Sequence, residues 1–144
     1  MSIYKKILVA LDVSQEARTV LSKAEDLAQR YGGAELTIIH VIEPMALDNS
    51  YESLPVISID IEKALYERAQ QYIAQISTEL GLGAVPVRVE IGSVKGEILR
   101  VADEINADLM VIGTHGRHGM AILLGSTANA ILHGTQCDVL AVRV

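Results

Sequence analysis

The stretch Asp108-Leu-Met-Val-Ile-Gly113-Thr-His-Gly116-Arg-His-Gly119-Met-Ala-Ile-Leu-Leu-Gly125-Ser-Thr-Ala-Asn129 decides how this chain is read. Leu109 to Gly113 is a short apolar run of the kind that fills a strand covered on both faces. A loop holding Gly113, Gly116 and Gly119 follows, and Gly125-Ser126-Thr127 then opens a helix. Glycines allow backbone N–H groups to approach an anion closely, and the first turn of a helix offers unpaired donors with a partial positive charge. Such a segment suits a phosphate cradle. A surface loop whose glycines only satisfy turn geometry has the same composition, and the glycines alone do not choose between the two.

Working outward, strand and helix patterns alternate along the whole chain. Ile7 to Leu11 is a buried strand that stops at Asp12, and Ser14 can cap a helix with apolar positions Ala17, Val20, Leu21, Ala24, Leu27 and Ala28. Gly32-Gly33 ends that helix. Leu36 to Ile42 is a second strand, and the polar segment Glu43 to Pro55 reads as a loop. A helix from about Ile59 to Leu80 comes next, then an edge-type strand from Val85 to Ile91. Gly92 to Gly96 leads into a helix with Ile98, Leu99, Ala102 and Ile105 on one face. Leu109 to Gly113 is the fourth strand, the fourth helix begins at Gly125, and Asp138 to Val144 is the last strand.

Five strands joined by helical crossovers must pair in parallel, so the fold class is α/β, with helices on both faces of the sheet. Among doubly wound orders, 3-2-1-4-5 sets strands one and four side by side and brings Asp12 and the Gly113 loop to one crevice. Ligands bind at such reversals of strand order.

Composition narrows the function. The 144 residues, half of them hydrophobic, form one domain over 1–144 with no linker. Net charge is −6 and the 12 Lys and Arg are scattered, which argues against nucleic acid as a partner. No uncharged apolar stretch is long enough to span a membrane, and the N-terminal run broken by Asp12 is not expected to be a signal peptide. Cys137 is the only cysteine, which agrees with a reducing, cytoplasmic setting. There is no G-x-x-x-x-G-K-[ST] motif, and the first strand-to-helix turn, Ala10-Leu11-Asp12-Val13-Ser14, has no glycine for a dinucleotide fingerprint. Phosphates would therefore sit after strand four, leaving Asp12 beside the ribose, where a carboxylate accepts hydroxyl hydrogen bonds. Equally, Asp12 could be a helix-entry residue that helps Ser14 satisfy open N–H groups.

Ile7-Leu-Val-Ala-Leu-Asp-Val-Ser14, Ile38-Ile-His-Val-Ile-Glu-Pro44, Asp108 to Gly113 and the Gly113 to Ser126 segment together resemble the universal stress protein family over the whole chain. The resemblance implies a Rossmann-like, adenine nucleotide alpha hydrolase-like sheet of order 3-2-1-4-5. The nucleotide-binding branch of that family carries G-x-x-G, nine residues, then G-[ST]. Here Gly113-x-x-Gly116 and Gly125-Ser126 are present with eight residues between Gly116 and Gly125. By resemblance, ATP, ADP or AMP is the expected ligand, with Mg2+ accompanying the phosphates. Asp12 would hold the ribose, Ala10 and Leu11 would line the adenine pocket, and Val41 would give the base main-chain contacts. Gly113, Gly116, Arg117, Gly125, Ser126 and Thr127 would surround the phosphates. The other branch, typified by universal stress protein A, lacks these glycines and does not bind ATP.

Other candidates weigh less. His115, His118 and His133 lack a cysteine or carboxylate in the same loop, so no metal site is expected. Cys137 and the tyrosines Tyr66 and Tyr72 are expected to be core or rim residues. Ser126 has no assignable base, and no catalytic residue is identified; at most the chain is a slow ATPase. The two functional classes left are a cytoplasmic adenine-nucleotide-binding regulator in the stress response and a dimeric interaction protein without nucleotide. In either case the apolar last strand, Asp138 to Val144, lies at a sheet edge, and a homodimer through it is expected.

Overall fold

The computed structural model describes residues 3–44, 55–114 and 127–144. Its sheet has five parallel strands, β1 (Lys6–Ala10), β2 (Glu35–Ile42), β3 (Val87–Ile91), β4 (Leu109–Gly113) and β5 (Asp138–Val142). Their order is β3-β2-β1-β4-β5, the order expected from the sequence. Among the described residues four helices connect them: α1 (Ala17–Arg30), α2 (Pro55–Glu79), α3 (Val94–Ile105) and α4 (Thr127–Gly134).

Alternation along the strands divides the core in two. Ile7, Val9 and Leu11 face the same side as Ile38 and Val111, where α1 supplies Val20, Leu21 and Ala24 and α2 supplies Ile73 and Ile76. Leu8, Ile39, Met110 and Ile112 face the other side, under Ile98 and Val101 of α3 and Ala128 and Ile131 of α4. The central strands β1 and β4 are therefore covered on both faces, which is why their sequences read as continuous apolar runs. Burying each of these Leu, Ile or Val side chains contributes about 1.5–3 kcal/mol.

The amino-terminal end of the sheet is closed by Asp108. Its carboxylate accepts the Lys5 N–H at 3.1 and 2.9 Å and the Lys6 N–H at 3.0 Å, tying the entry of β1 to that of β4. Beside it the Tyr4 hydroxyl donates to Asp138 Oδ2 at 2.7 Å, and this bond, with the adjacent negative charge, pushes the phenol up to about 12. Replacing Asp108 with alanine is expected to cost about 1–2 kcal/mol in urea unfolding, because the charged acceptor of two main-chain donors is lost.

Several element boundaries differ from the sequence reading. Helix α1 starts at Ala17 rather than at a Ser14 cap: its N-cap is Glu16, which makes no side-chain capping bond. The Ser14 hydroxyl is committed elsewhere, and the Ser14 carbonyl accepts the Ala17 N–H at 3.2 Å in a turn that precedes the helix. Helix α2 begins at Pro55, placed above in the loop; a proline at the first helical position loses no helical hydrogen bond. Strand β3 begins at Val87 instead of Val85, and β5 ends at Val142 instead of Val144. The fourth helix begins, among the described residues, at Thr127; the expected start at Gly125 and the loop 45–54 lie outside them. No helix of the described residues is long and apolar enough to cross a membrane.

Candidate functional site

Strands β1 and β4 pair directly, with Val9 opposite Val111, so their carboxyl ends share one rim at the reversal of strand order. Asp12 stands on that rim, two residues beyond β1. The Ser14 hydroxyl donates to its Oδ1. Its Oδ2 is buried and has no hydrogen-bond partner among the described residues. Neither side chain caps α1, so the role of helix-entry residue does not account for Asp12. A buried carboxylate oxygen left without a donor costs about 1–3 kcal/mol.

The turn that carries Asp12 is held by three hydrogen bonds from two elements, β2 and α2. The Leu11 N–H donates to the Ile39 carbonyl at 2.9 Å. His40, also on β2, donates from Nδ1 to the Leu11 carbonyl at 2.8 Å. A carbonyl can only accept, so this bond places a proton on Nδ1. From α2, the Tyr72 hydroxyl donates to the Ser14 carbonyl at 2.8 Å. Arg18 Nη1 lies 3.5 Å from the same hydroxyl, and Arg18 Nε pairs with Glu79 Oε2 at 2.9 Å. That pairing holds the Glu79 carboxyl below its usual range and raises the guanidinium.

The remaining candidates fall into two groups. Ala10 and Val41 are half-buried and pack on the α3 and α4 side of the sheet near its carboxyl rim, while Leu11 is 5% exposed and packs on the other side. Gly113 ends β4 opposite Val142, and the Thr114 N–H donates to the Val142 carbonyl at 2.9 Å. Ala10, Leu11, Asp12, Val41 and Gly113 thus meet at one rim. Gly116, Arg117, Gly125 and Ser126 lie outside the described residues, as do His115, His118 and the Thr127 side chain. Thr127 itself is the first residue of α4, whose Ala128 and Ile131 pack beneath the same face as Ala10 and Val41.

Two site residues were not found by sequence reasoning. His40 carried a signal: it is the single ionisable residue within the run Leu36-Thr-Ile-Ile-His-Val-Ile42. Tyr72 carried none, since its helical spacing matches ordinary core packing. Away from the rim, His133 Nδ1 bonds the Asn129 carbonyl of its own helix at 2.9 Å. Cys137 is half-buried against the α3 and α4 cluster at the opposite end of the sheet, with Thr135 Oγ1 3.1 Å from its sulfur.

Comparison with known proteins agrees with this architecture. The family model described as "Universal stress protein family" matches residues 3–143. Universal stress protein A homolog 2 of Coxiella burnetii is 40% identical, over 100% of this chain and 98% of that protein. Homolog 1 of the same organism is 38% identical over 96% of each. Among solved structures, universal stress protein UspA from Lactobacillus plantarum matches with a TM-score of 0.79 and 27% identity, covering 99% of this chain and 100% of that one. A universal stress protein solved in complex with cAMP matches with a TM-score of 0.63 and 25% identity, covering 98% of both chains. The chain therefore belongs to the universal stress protein family.

Proposed function

We propose that the protein is an adenine-nucleotide-binding regulator of the stress response, acting in the cytoplasm, with ATP, ADP or AMP in the crevice between β1 and β4. The observation that carries this reading is the buried, unpartnered Asp12 Oδ2 at the reversal of strand order. A ribose hydroxyl is the kind of neutral donor that this acceptor lacks, and it would relieve the penalty of the free state. Ala10 and Leu11 would line the base, Val41 would offer it main-chain groups, and Gly113, Gly116, Arg117, Gly125, Ser126 and Thr127 would surround the phosphates. A related protein has been solved with cAMP, a ligand that shares the adenosine unit.

Among the described residues no cluster of three His, Cys, Asp or Glu is suited to hold a metal. Mg2+ would then arrive on the phosphate oxygens, neutralising their charge, rather than in a cage of protein ligands. With no positioned base identified, turnover would be slow, below the roughly 1 per second at which ordinary kinases begin. The protein would act as a homodimer through β5, its state read by a protein partner.

Mass spectrometry of small molecules released from the purified protein, followed by calorimetry with ATP, ADP and AMP, tests the reading. An adenine nucleotide in the released fraction and saturable micromolar binding are expected. No binding heat with any of the three would leave the second reading, a dimeric interaction protein without nucleotide. The eight-residue spacing between Gly116 and Gly125 is the feature that favours that alternative.

A further inference from the structure

We propose that His40 and Tyr72 are positioning residues that pin the two ends of the Leu11–Ser14 turn and so aim the Asp12 carboxylate into the crevice. The proposal rests on the nucleotide reading of that crevice and assigns a task to two side chains outside the expected ligand set.

The geometry is specific at both ends. His40 Nδ1 lies 2.8 Å from the Leu11 carbonyl, immediately before Asp12. Tyr72 Oη lies 2.8 Å from the Ser14 carbonyl, two residues after it. The direction of the second bond is enforced, because Arg18 can only donate to the Tyr72 oxygen and the phenol proton is left for Ser14. Between the pins, Ser14 itself occupies Oδ1 of Asp12, leaving Oδ2 as the acceptor. The chain would otherwise lose this orientation easily. Residues 11–16 are neither strand nor helix, and α1 begins only at Ala17. The two anchors come from different layers, β2 in the sheet and α2 upon it, so neither can replace the other.

The task predicts a selective loss. Asp12 would recognise ribose hydroxyls, so wild-type protein should prefer ATP to 2′,3′-dideoxy-ATP by about tenfold or more, the value of one charge-assisted hydrogen bond. Tyr72→Phe and His40→Gln should bring that ratio close to one, mainly by weakening ATP and hardly changing the dideoxy ligand. General destabilisation would lower both affinities together. His40→Asn should restore the ratio, since the asparagine amide nitrogen stands as many bonds from Cα as Nδ1 does, whereas the glutamine nitrogen stands one further.

Calorimetry of the four proteins with both ligands is the experiment, accompanied by amide exchange across residues 11–14 in the free chains. A wild-type ratio that survives in Tyr72→Phe and His40→Gln overturns the positioning role while leaving the nucleotide reading intact. If neither ligand binds wild-type protein, the nucleotide reading fails, and exchange still decides the pins. Faster exchange in Tyr72→Phe and His40→Gln but not in His40→Asn supports them, and unchanged exchange in all three removes them.

Discussion

Replacing Asp12 with alanine is expected to weaken adenine-nucleotide binding by about 10- to 100-fold, the worth of a hydrogen bond to a charged acceptor. The same variant should unfold at a urea concentration no lower than wild type. Loss of binding without loss of stability is the informative combination. Oδ2 is buried with no donor among the described residues, so removing the carboxylate relieves a penalty of about 1–3 kcal/mol. Against that stands the bond that Oδ1 accepts from Ser14, whose half-buried hydroxyl can turn to water instead. Asp108 supplies the contrast within the same chain. Its carboxylate accepts main-chain N–H groups of Lys5 and Lys6, so Asp108→Ala should lose stability and leave nucleotide affinity alone. Calorimetry and urea titration of both variants make the comparison. Unchanged affinity in Asp12→Ala, or a stability loss equal to that of Asp108→Ala, would make Asp12 a structural residue.

The contrast between these two aspartates also marks what the sequence could and could not convey. Leu109 to Gly113 was legible to the residue because a strand buried on both faces must be apolar throughout and must stop where the chain leaves the core. Alternating elements and crossover rules left only a few sheet orders, and the observed one among them sets the shared rim of Asp12 and Gly113. Bonds between distant segments left no such trace. Tyr72 reaches Ser14 across 58 residues and His40 reaches Leu11 across 29, and no local periodicity encodes either contact. The same tertiary bonding explains the misplaced start of α1. Ser14 has the right chemistry for a helix cap, but its hydroxyl is bound to Asp12 and its carbonyl to Tyr72, so the helix begins three residues later. Local preference yielded there to the requirements of the rim.

Ala141→Pro is expected to turn the proposed dimer into a folded monomer, whereas Leu140→Pro should damage the sheet itself. The difference follows from which way each backbone group points. The Val142 carbonyl accepts the Thr114 N–H, so residue 142 turns its polar groups toward β4. By the two-residue period of a strand, Leu140 does the same, and Val139 and Ala141 turn theirs toward the edge. Among the described residues β5 has no neighbour on that side. Its outward N–H and C=O groups form a short apolar template that a second copy, related by a two-fold axis, can pair with antiparallel. Proline at Ala141 removes an outward donor and fills a position that is exposed in the single chain. Proline at Leu140 removes a donor from the β4–β5 ladder and leaves its β4 acceptor unpaired, which should lower stability by about 1–3 kcal/mol. Sedimentation at micromolar concentration, with circular dichroism to check folding, reads both outcomes. A monomeric wild type, or an Ala141→Pro variant that dimerises as before, would move the interface away from β5.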